Sequence, residues 1–193
     1  MKSVLISIQP KWCELIASGQ KTVEVRKTKP NLETPFKVYI YETQGRTETP
    51  FVDEEGHHIF KGRGQVIGEF VCDDITKIIN CISSFIAEDR SYCELQTMAR
   101  ASCLDFLDMK MYFGDKDGYA WHISDLVIYD KPRELSVFYH YCGDNPKCDG
   151  CEAHYFSNTE CGKEDYCCSL IDGCKPLKRP PQSWCYVESE DTE

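Results

Sequence analysis

The stretch GQKTVEVR, residues 19–26, is the part of the chain that indicates its fold most directly. It follows a short amphipathic segment, and its second half alternates between apolar and polar residues. Alternate side chains of a β-strand share one face, so Val23 and Val25 are predicted to point into a core. The polar side chains of Thr22, Glu24 and Arg26 are predicted to face outward. The spacing alone fits a half-exposed strand with a surface ion pair equally well.

The residues before this stretch predict a strand followed by a helix. Residues 3–8 alternate between apolar and polar positions, which is typical of a strand. Pro10 suits the first turn of a helix, where a missing N–H costs no hydrogen bond. Apolar side chains then recur at helical spacing, at Trp12, Leu15 and Ile16. Gly19 stands where a helix commonly ends in the left-handed conformation.

The middle of the chain is predicted to alternate between strands and helices. Residues 36–42, 65–73 and 119–129 have the composition of strands, and residues 43–64 are predicted to form a long loop. Residues 75–113 are predicted to form two helices, because four isoleucines recur at intervals of three and four. Those isoleucines are Ile75, Ile78, Ile79 and Ile82. His122 is expected to be a core histidine.

The spacing Gly-x-Lys-x-x-Glu-x-Arg, formed by Gly19, Lys21, Glu24 and Arg26, resembles the signature of ASCH domains. Residues 120–123 resemble a late strand of that family. Residues 180–184, PPQSW, resemble the closing segment of an ASCH branch found in mobile-element and phage-like proteins. The resemblance implies an α+β fold: a PUA-like mixed β-barrel with intervening helices, here carrying a small cysteine-rich insertion.

This fold divides the chain into four parts. Residues 1–138 are predicted to form the main part of the barrel, and residues 139–178 the cysteine-rich insertion. Residues 179–188 are predicted to return to the barrel as its closing strand. Residues 189–193 form an acidic tail. No apolar run is long enough for a transmembrane helix, and the first residues do not suit a secretory signal, so a cytoplasmic protein without membrane association is expected.

The resemblance to ASCH domains implies binding of RNA or of a modified nucleotide in a cleft beside the strand. The net charge of −10 argues against bulk affinity for nucleic acid, although residues 21–29 carry four cations and one acid. Arginine and lysine suit a phosphate or a base edge, and aromatic side chains can stack on bases. The expected ligand-binding residues are Lys21, Glu24, Arg26, Tyr41 and Trp184.

Two other functions remain open from the sequence. One ASCH branch hydrolyses an acylated cytidine with a threonine three residues after the lysine, and this chain has Glu24 at that position. If the protein is an enzyme, it is an amidohydrolase of this kind, with Lys21, Thr22 and Glu24 as the candidate catalytic residues. We expect deacylation to be absent or very slow. The third possibility is an adaptor that contacts a protein partner through its cysteine-rich insertion.

Seven of the thirteen cysteines lie within residues 142–174. Without a secretion signal, such crowding favours metal ligation over disulfides. Cys148 and Cys151 form a C-x-x-C pair, and Cys161 with Cys167 is the favoured completion of a tetrahedral zinc site. Disulfides and free thiols are the alternatives. The predicted cofactor is therefore structural zinc, which would fold a segment that has few aliphatic residues.

Overall fold

The computed structural model describes residues 2–48, 59–81, 84–87, 92–141 and 176–188. The elements follow in the order β1 (Lys2–Ile8), α1 (Pro10–Ala17), β2 (Val23–Arg26), β3 (Phe36–Glu42), β4 (Gly45–Glu48), β5 (Ile59–Gly62), β6 (Val66–Cys72), β7 (Ile75–Cys81), β8 (Ser84–Ala87), α2 (Tyr92–Ser102), α3 (Phe106–Phe113), β9 (Gly118–His122), β10 (Ser124–Arg133) and β11 (Trp184–Glu188). A short 3-10 helix, Leu135–Val137, follows β10. None of these helices has both the length and the apolar character needed to cross a membrane.

The strands form two main sheets and a small hairpin. The larger sheet has the order β10-β6-β3-β1-β11, in which only β1 and β3 run parallel. The smaller sheet has the order β2-β9-β7-β8, and all its pairs are antiparallel. β4 pairs with β5 at the two ends of the predicted long loop. This architecture confirms the predicted mixed α+β class.

Three apolar clusters hold the two sheets and the helices together. They arise because alternate side chains of a strand point to opposite faces of its sheet, so each sheet can pack on both sides. The first core includes Val4, Ile6, Val38, Ile40, Phe70 and Trp121, and it draws on both sheets. The second core joins the smaller sheet to α2 and α3 through Val23, Val25, Ile78, Met98, Met109 and Phe113. The third core covers the opposite face of the larger sheet and includes Leu5, Tyr39, Tyr41, Leu135, Phe138 and Leu177.

The local predictions around residues 19–26 are largely confirmed. β1 occupies residues 2–8, and Pro10 stands in the first turn of α1. Gly19 has φ +75° one residue beyond the end cap of the helix, in the left-handed region that glycine enters without steric cost. The chain also returns as β11, which pairs antiparallel with β1. β10 and β11, the strands before and after the predicted insertion, lie at opposite edges of the larger sheet.

The predicted outward orientation of Glu24 and Arg26 is wrong. All four residues of β2 are buried. Val23 and Val25 belong to the second core, under the helices. Glu24 and Arg26 point the other way. Their neighbours on β9 are Trp121, which lies in the first core, and Tyr119, which packs against that core. Both faces of the strand are therefore covered.

Two further predictions in the middle of the chain are wrong. Residues 75–81 form β7, paired with β9, instead of a helix. Isoleucine is β-branched and favours strands, and tertiary pairing overrides its helical spacing. The two predicted helices occur later, as α2 and α3. His122 is not a core histidine, because its side chain is 47% exposed and lies against Asp73.

Gly68 allows β6 and β10 to approach each other closely. A Cβ added there would lie 2.3 Å from the carbonyl oxygen of Val127, which is a backbone atom and cannot rotate away. We expect Gly68→Ala to lower the free energy of unfolding by about 1–3 kcal/mol, the usual cost of overpacking. Urea denaturation measures this change in the free energy of unfolding. A change below about 0.5 kcal/mol, the range of neutral surface substitutions, would show that the two strands are not held this closely.

Candidate functional site

A buried charged network lies on and beside β2. Lys21, Glu24 and Arg26 are only 3%, 6% and 7% exposed. Lys21 Nζ lies 3.3 Å from Glu24 Oε2, and Arg26 Nε lies 2.9 Å from Glu24 Oε1. The Arg26 Nε–H is not aligned for a hydrogen bond, so this second contact is an ion pair only. The Glu24 carboxylate thus bridges two cations.

Three other parts of the chain hold the network in place. Lys21 Nζ donates a hydrogen bond of 2.7 Å to the carbonyl of Ser102, the last residue of α2. Arg26 Nη2 donates a bond of 2.7 Å to the carbonyl of Ser7 in β1, and Nη1 lies 3.5 Å from Ser183 Oγ. Ser7 is itself bonded to the closing segment, since its N–H donates to the Ser183 carbonyl and its hydroxyl to the Pro181 carbonyl. The two cations therefore have fixed positions.

The network contains two cations and one carboxylate, so it carries an excess positive charge. Glu42 is a second buried acid, 1% exposed, but its carboxylate accepts a bond of 2.7 Å from the Arg63 N–H and lies 3.7 Å from Arg63 Nη1. Buried charge is costly unless it is balanced. An anionic or strongly accepting group would therefore be stabilised beside Lys21 and Arg26.

Aromatic side chains from two helices flank the network. The Trp12 ring of α1 is partly buried, and Lys21 Nζ lies 5.2 Å from its centroid. Tyr112 of α3 is 38% exposed, and Lys27 Nζ lies 5.1 Å from its ring. Partial burial raises the pKa of the Tyr112 hydroxyl, and both Arg26 and Glu24 act on it electrostatically. The Tyr112 phenol is therefore within electrostatic reach of Arg26 and Glu24.

Trp121 supplies a buried hydrogen-bond donor to the same side of β2. Its side chain is fully buried, and it is the cross-strand partner of Glu24. Its indole Nε1 has no hydrogen-bond partner in the described part of the chain. Leaving a buried donor unsatisfied costs about 1–3 kcal/mol. Such a group indicates a position for an acceptor that the described residues do not supply.

Comparison with known proteins identifies the family of this chain. The sequence profile of the ASCH domain matches residues 6–131, which include the end of β1, all of β2 and the side chains of Lys21, Glu24 and Arg26. The chain belongs to the ASCH domain family. No match is found among curated proteins. The ASCH match ends before the predicted cysteine-rich insertion, so the mobile-element branch stays a prediction.

Two crystal structures share the ASCH fold of this chain. The ASCH protein from Zymomonas mobilis is 18% identical, with a TM-score of 0.51 over 97% of this chain and 88% of that one. A serine-to-alanine variant of the same protein is 19% identical, with a TM-score of 0.51 over 97% of this chain and 89% of that one. At these identities the likeness shows the fold alone: a PUA-like mixed barrel with few helices.

The structure brings together most of the residues predicted for the ASCH site. Lys21, Glu24 and Arg26 form the network, and Trp184 follows Ser183 and lies with its ring centroid 6.1 Å from that of Trp121. Tyr41 is separate, because it lies in the third core, on the opposite face of the larger sheet, and is 5% exposed. Thr22 is exposed and lines a different pocket, on the α2 side of β2.

Sequence reasoning misses two side chains of the site. Tyr112 falls within the predicted helical region and Trp121 within a predicted strand, and nothing in the sequence sets either of them apart. Cross-strand pairing with Glu24 is the feature that identifies Trp121, and it exists only in the folded sheet. Trp12 is predicted as an apolar residue of the first helix, and its ring packs against the first core while Lys21 Nζ lies 5.2 Å from its centroid.

The predicted zinc ligands Cys148, Cys151, Cys161 and Cys167 lie outside the described residues. Within the described ranges, no three metal-binding side chains come together. Cys13 and Cys72 are free and buried there. Burial raises the pKa of the Cys13 thiol well above its usual value and that of Cys72 to about 12. These thiols are therefore poor nucleophiles, because the thiolate is the reactive form.

Proposed function

We propose that this ASCH domain binds RNA or a modified nucleotide in the cleft beside β2. The observation that carries the proposal is the excess positive charge of the Lys21–Glu24–Arg26 network beside the unsatisfied Trp121 indole. A nucleotide has complementary groups, since its phosphate is anionic and its base offers carbonyl and ring-nitrogen acceptors. Family membership supports the same class of ligand.

Each part of the cleft suits one part of a nucleotide. Arg26 and Lys21 supply charged donors to a phosphate or to a base carbonyl. The Trp12 and Tyr112 rings offer surfaces on which an unpaired base can stack, and Trp184 is a third candidate. Glu24 orients both cations, because it holds each of them through a separate oxygen.

The charge distribution favours selective binding to a single-stranded segment. Lys27 and Lys29 are exposed just beyond β2, and Lys11 lies with its Nζ 4.7 Å from the Trp12 ring. These cations add local positive charge near the network, on a chain with a net charge of −10. Such a chain repels a duplex at a distance but can attract one strand locally.

The structure gives less support to amide hydrolysis. A threonine nucleophile needs a base within hydrogen-bond reach and an oxyanion site. Thr22 lines the pocket on the α2 side of β2, whereas Lys21 and Glu24 contact each other in the network. Glu24 is also held by two cations, which favours an orienting role. Measurable turnover of N4-acetylcytidine would make amide hydrolysis the better supported function.

The direct test measures binding of short single-stranded oligoribonucleotides by fluorescence anisotropy. Arg26→Lys keeps the positive charge but removes the planar fork, and we expect it to weaken binding about tenfold. Arg133→Lys is the matched control. Arg133 is on β10, at the edge of the larger sheet far from β1, and it contacts the Tyr129 and Phe138 rings. This control should bind as the unmodified protein does.

Circular dichroism of each variant separates lost binding from lost folding. A folded Arg26→Lys variant with unchanged affinity would show that the cleft beside β2 is not the binding site. An unmodified protein that binds no oligoribonucleotide, and that carries no nucleotide detectable by native mass spectrometry, would refute the proposal itself.

A further inference from the structure

A pocket lies on the opposite side of β2 and β9 from the charged network. Its volume is about 330 Å³, within the lower range of small-ligand sites. Met98, Ala101 and Ala120 form its apolar wall, between α2 and the smaller sheet. Val23, which also lines it, points to this side while its neighbour Glu24 points to the network. The pocket is therefore distinct from the proposed nucleotide site.

The polar side of this pocket consists mainly of hydrogen-bond acceptors. Asp74 and His122 both line it, together with the hydroxyl-bearing Thr22, Thr76 and Thr97. No lysine or arginine occurs among the lining residues in the described ranges. Asp74 Oδ2 accepts a bond of 3.0 Å from Thr76 Oγ1, which fixes the carboxylate at the pocket. A carboxylate offers several acceptor positions, so it can accept from more than one donor at once.

His122 is held in one orientation by a neighbouring acid. Its Nδ1 lies 2.6 Å from Asp73 Oδ1. The hydrogen bond to His122 lowers the pKa of the Asp73 carboxyl, which is therefore ionised near neutral pH. When the neutral imidazole donates its Nδ1–H to Asp73, its Nε2 is left as an acceptor. One carboxylate, an imidazole and three hydroxyl groups thus form the polar side of the pocket, opposite its apolar wall.

We propose that this pocket binds a small organic cation, a protonated amine on a short alkyl chain. The ammonium group would lie at Asp74 and His122, where it finds charge and acceptors for its three N–H donors. The alkyl chain would lie against Met98, Ala101 and Ala120, where burial of apolar surface favours it. Neither the nucleotide proposal nor family membership accounts for such a site.

The test compares three probes of similar size and different charge. n-Butylamine is cationic at neutral pH, 1-butanol is neutral and butyrate is anionic. Each is titrated into protein labelled at the methyl groups of methionine and alanine, and NMR follows the resonances of Met98, Ala101 and Ala120. We expect saturable shifts with butylamine, affinity about tenfold weaker for butanol, which corresponds to about 1.4 kcal/mol, and no saturation with butyrate.

Asp74→Asn tests the charge at the pocket with little change of shape. We expect it to weaken butylamine binding at least about fivefold, since an ion pair becomes a neutral contact, and to leave butanol binding unchanged. Asp130→Asn, at an exposed position of β10, is the matched control and should not alter either affinity. Equal affinity for amine and alcohol, shifts elsewhere in the protein, or an unaffected Asp74→Asn variant would each overturn the proposal. Arg26→Lys should not alter amine binding, which separates this test from that of the nucleotide site.

Discussion

Replacing Glu24 with alanine is expected to lower the free energy of unfolding by about 3–5 kcal/mol. The substitution leaves Lys21 and Arg26 buried beside each other without their shared carboxylate. Both side chains are less than one tenth exposed, so solvent screens little of their repulsion. For a chain of this length each kcal/mol lowers Tm by about 2–4 °C, so a shift of roughly 10 °C is expected in a thermal melt followed by circular dichroism.

Two variants give this prediction a control. Glu69→Ala removes a more exposed acid, 3.0 Å from Lys37 Nζ and bonded to the Tyr129 hydroxyl, and we expect it to cost about 1 kcal/mol. The triple variant Lys21→Met, Glu24→Leu, Arg26→Met replaces the whole network by apolar side chains. It should regain most of the lost stability, because no buried charge remains.

The same triple variant separates stability from function. If it folds but no longer binds oligoribonucleotides, the network serves binding more than folding. A cost below about 1 kcal/mol for Glu24→Ala, typical of an exposed pair, would instead mean that water reaches the network and that the pair lies at the surface.

Removal of zinc is the second large effect that we expect. We propose that the chain binds at least one Zn²⁺ through Cys148, Cys151, Cys161 and Cys167. The described residues on both sides of this segment meet, since Tyr139 bridges to Pro176 and the Leu177 N–H donates to the Phe138 carbonyl. Structural zinc contributes about 10–16 kcal/mol of binding free energy, which becomes folding free energy for the residues that it ties together.

We therefore expect chelation to make residues 142–174 sensitive to protease while the remainder, which has its own apolar cores, stays folded. Elemental analysis of protein purified under reducing conditions should give at least one zinc per chain. Cys148→Ser with Cys151→Ser should lower the zinc content, and Cys103→Ser, in the described part of the chain, should not. Zinc well below one equivalent would refute the proposal. Full zinc content in the double variant would refute this choice of ligands.

Short-range patterns in the sequence were sufficient for the elements around the signature. Pro10 begins a helix because its ring fixes φ, and Gly19 follows the helix end because glycine enters the left-handed region freely. Alternation identified β1 and β3. These features depend on neighbours a few residues away. The resemblance of the motif to the ASCH signature also pointed to Lys21, Glu24 and Arg26 as one group.

Only the tertiary structure decided what covers each of those elements. Alternation determines which residues of β2 share a face, but the burial of Glu24 and Arg26 depends on Trp121 and Ser7, which come from distant parts of the chain. The isoleucines of β7 fit either a helix or a strand until β9 lies beside them. Tyr41 and Tyr112 look alike in the sequence, yet one is covered by the third core and the other stands beside the charged network. Burial and charge pairing are long-range properties, so they arise only when the two sheets and their helices come together.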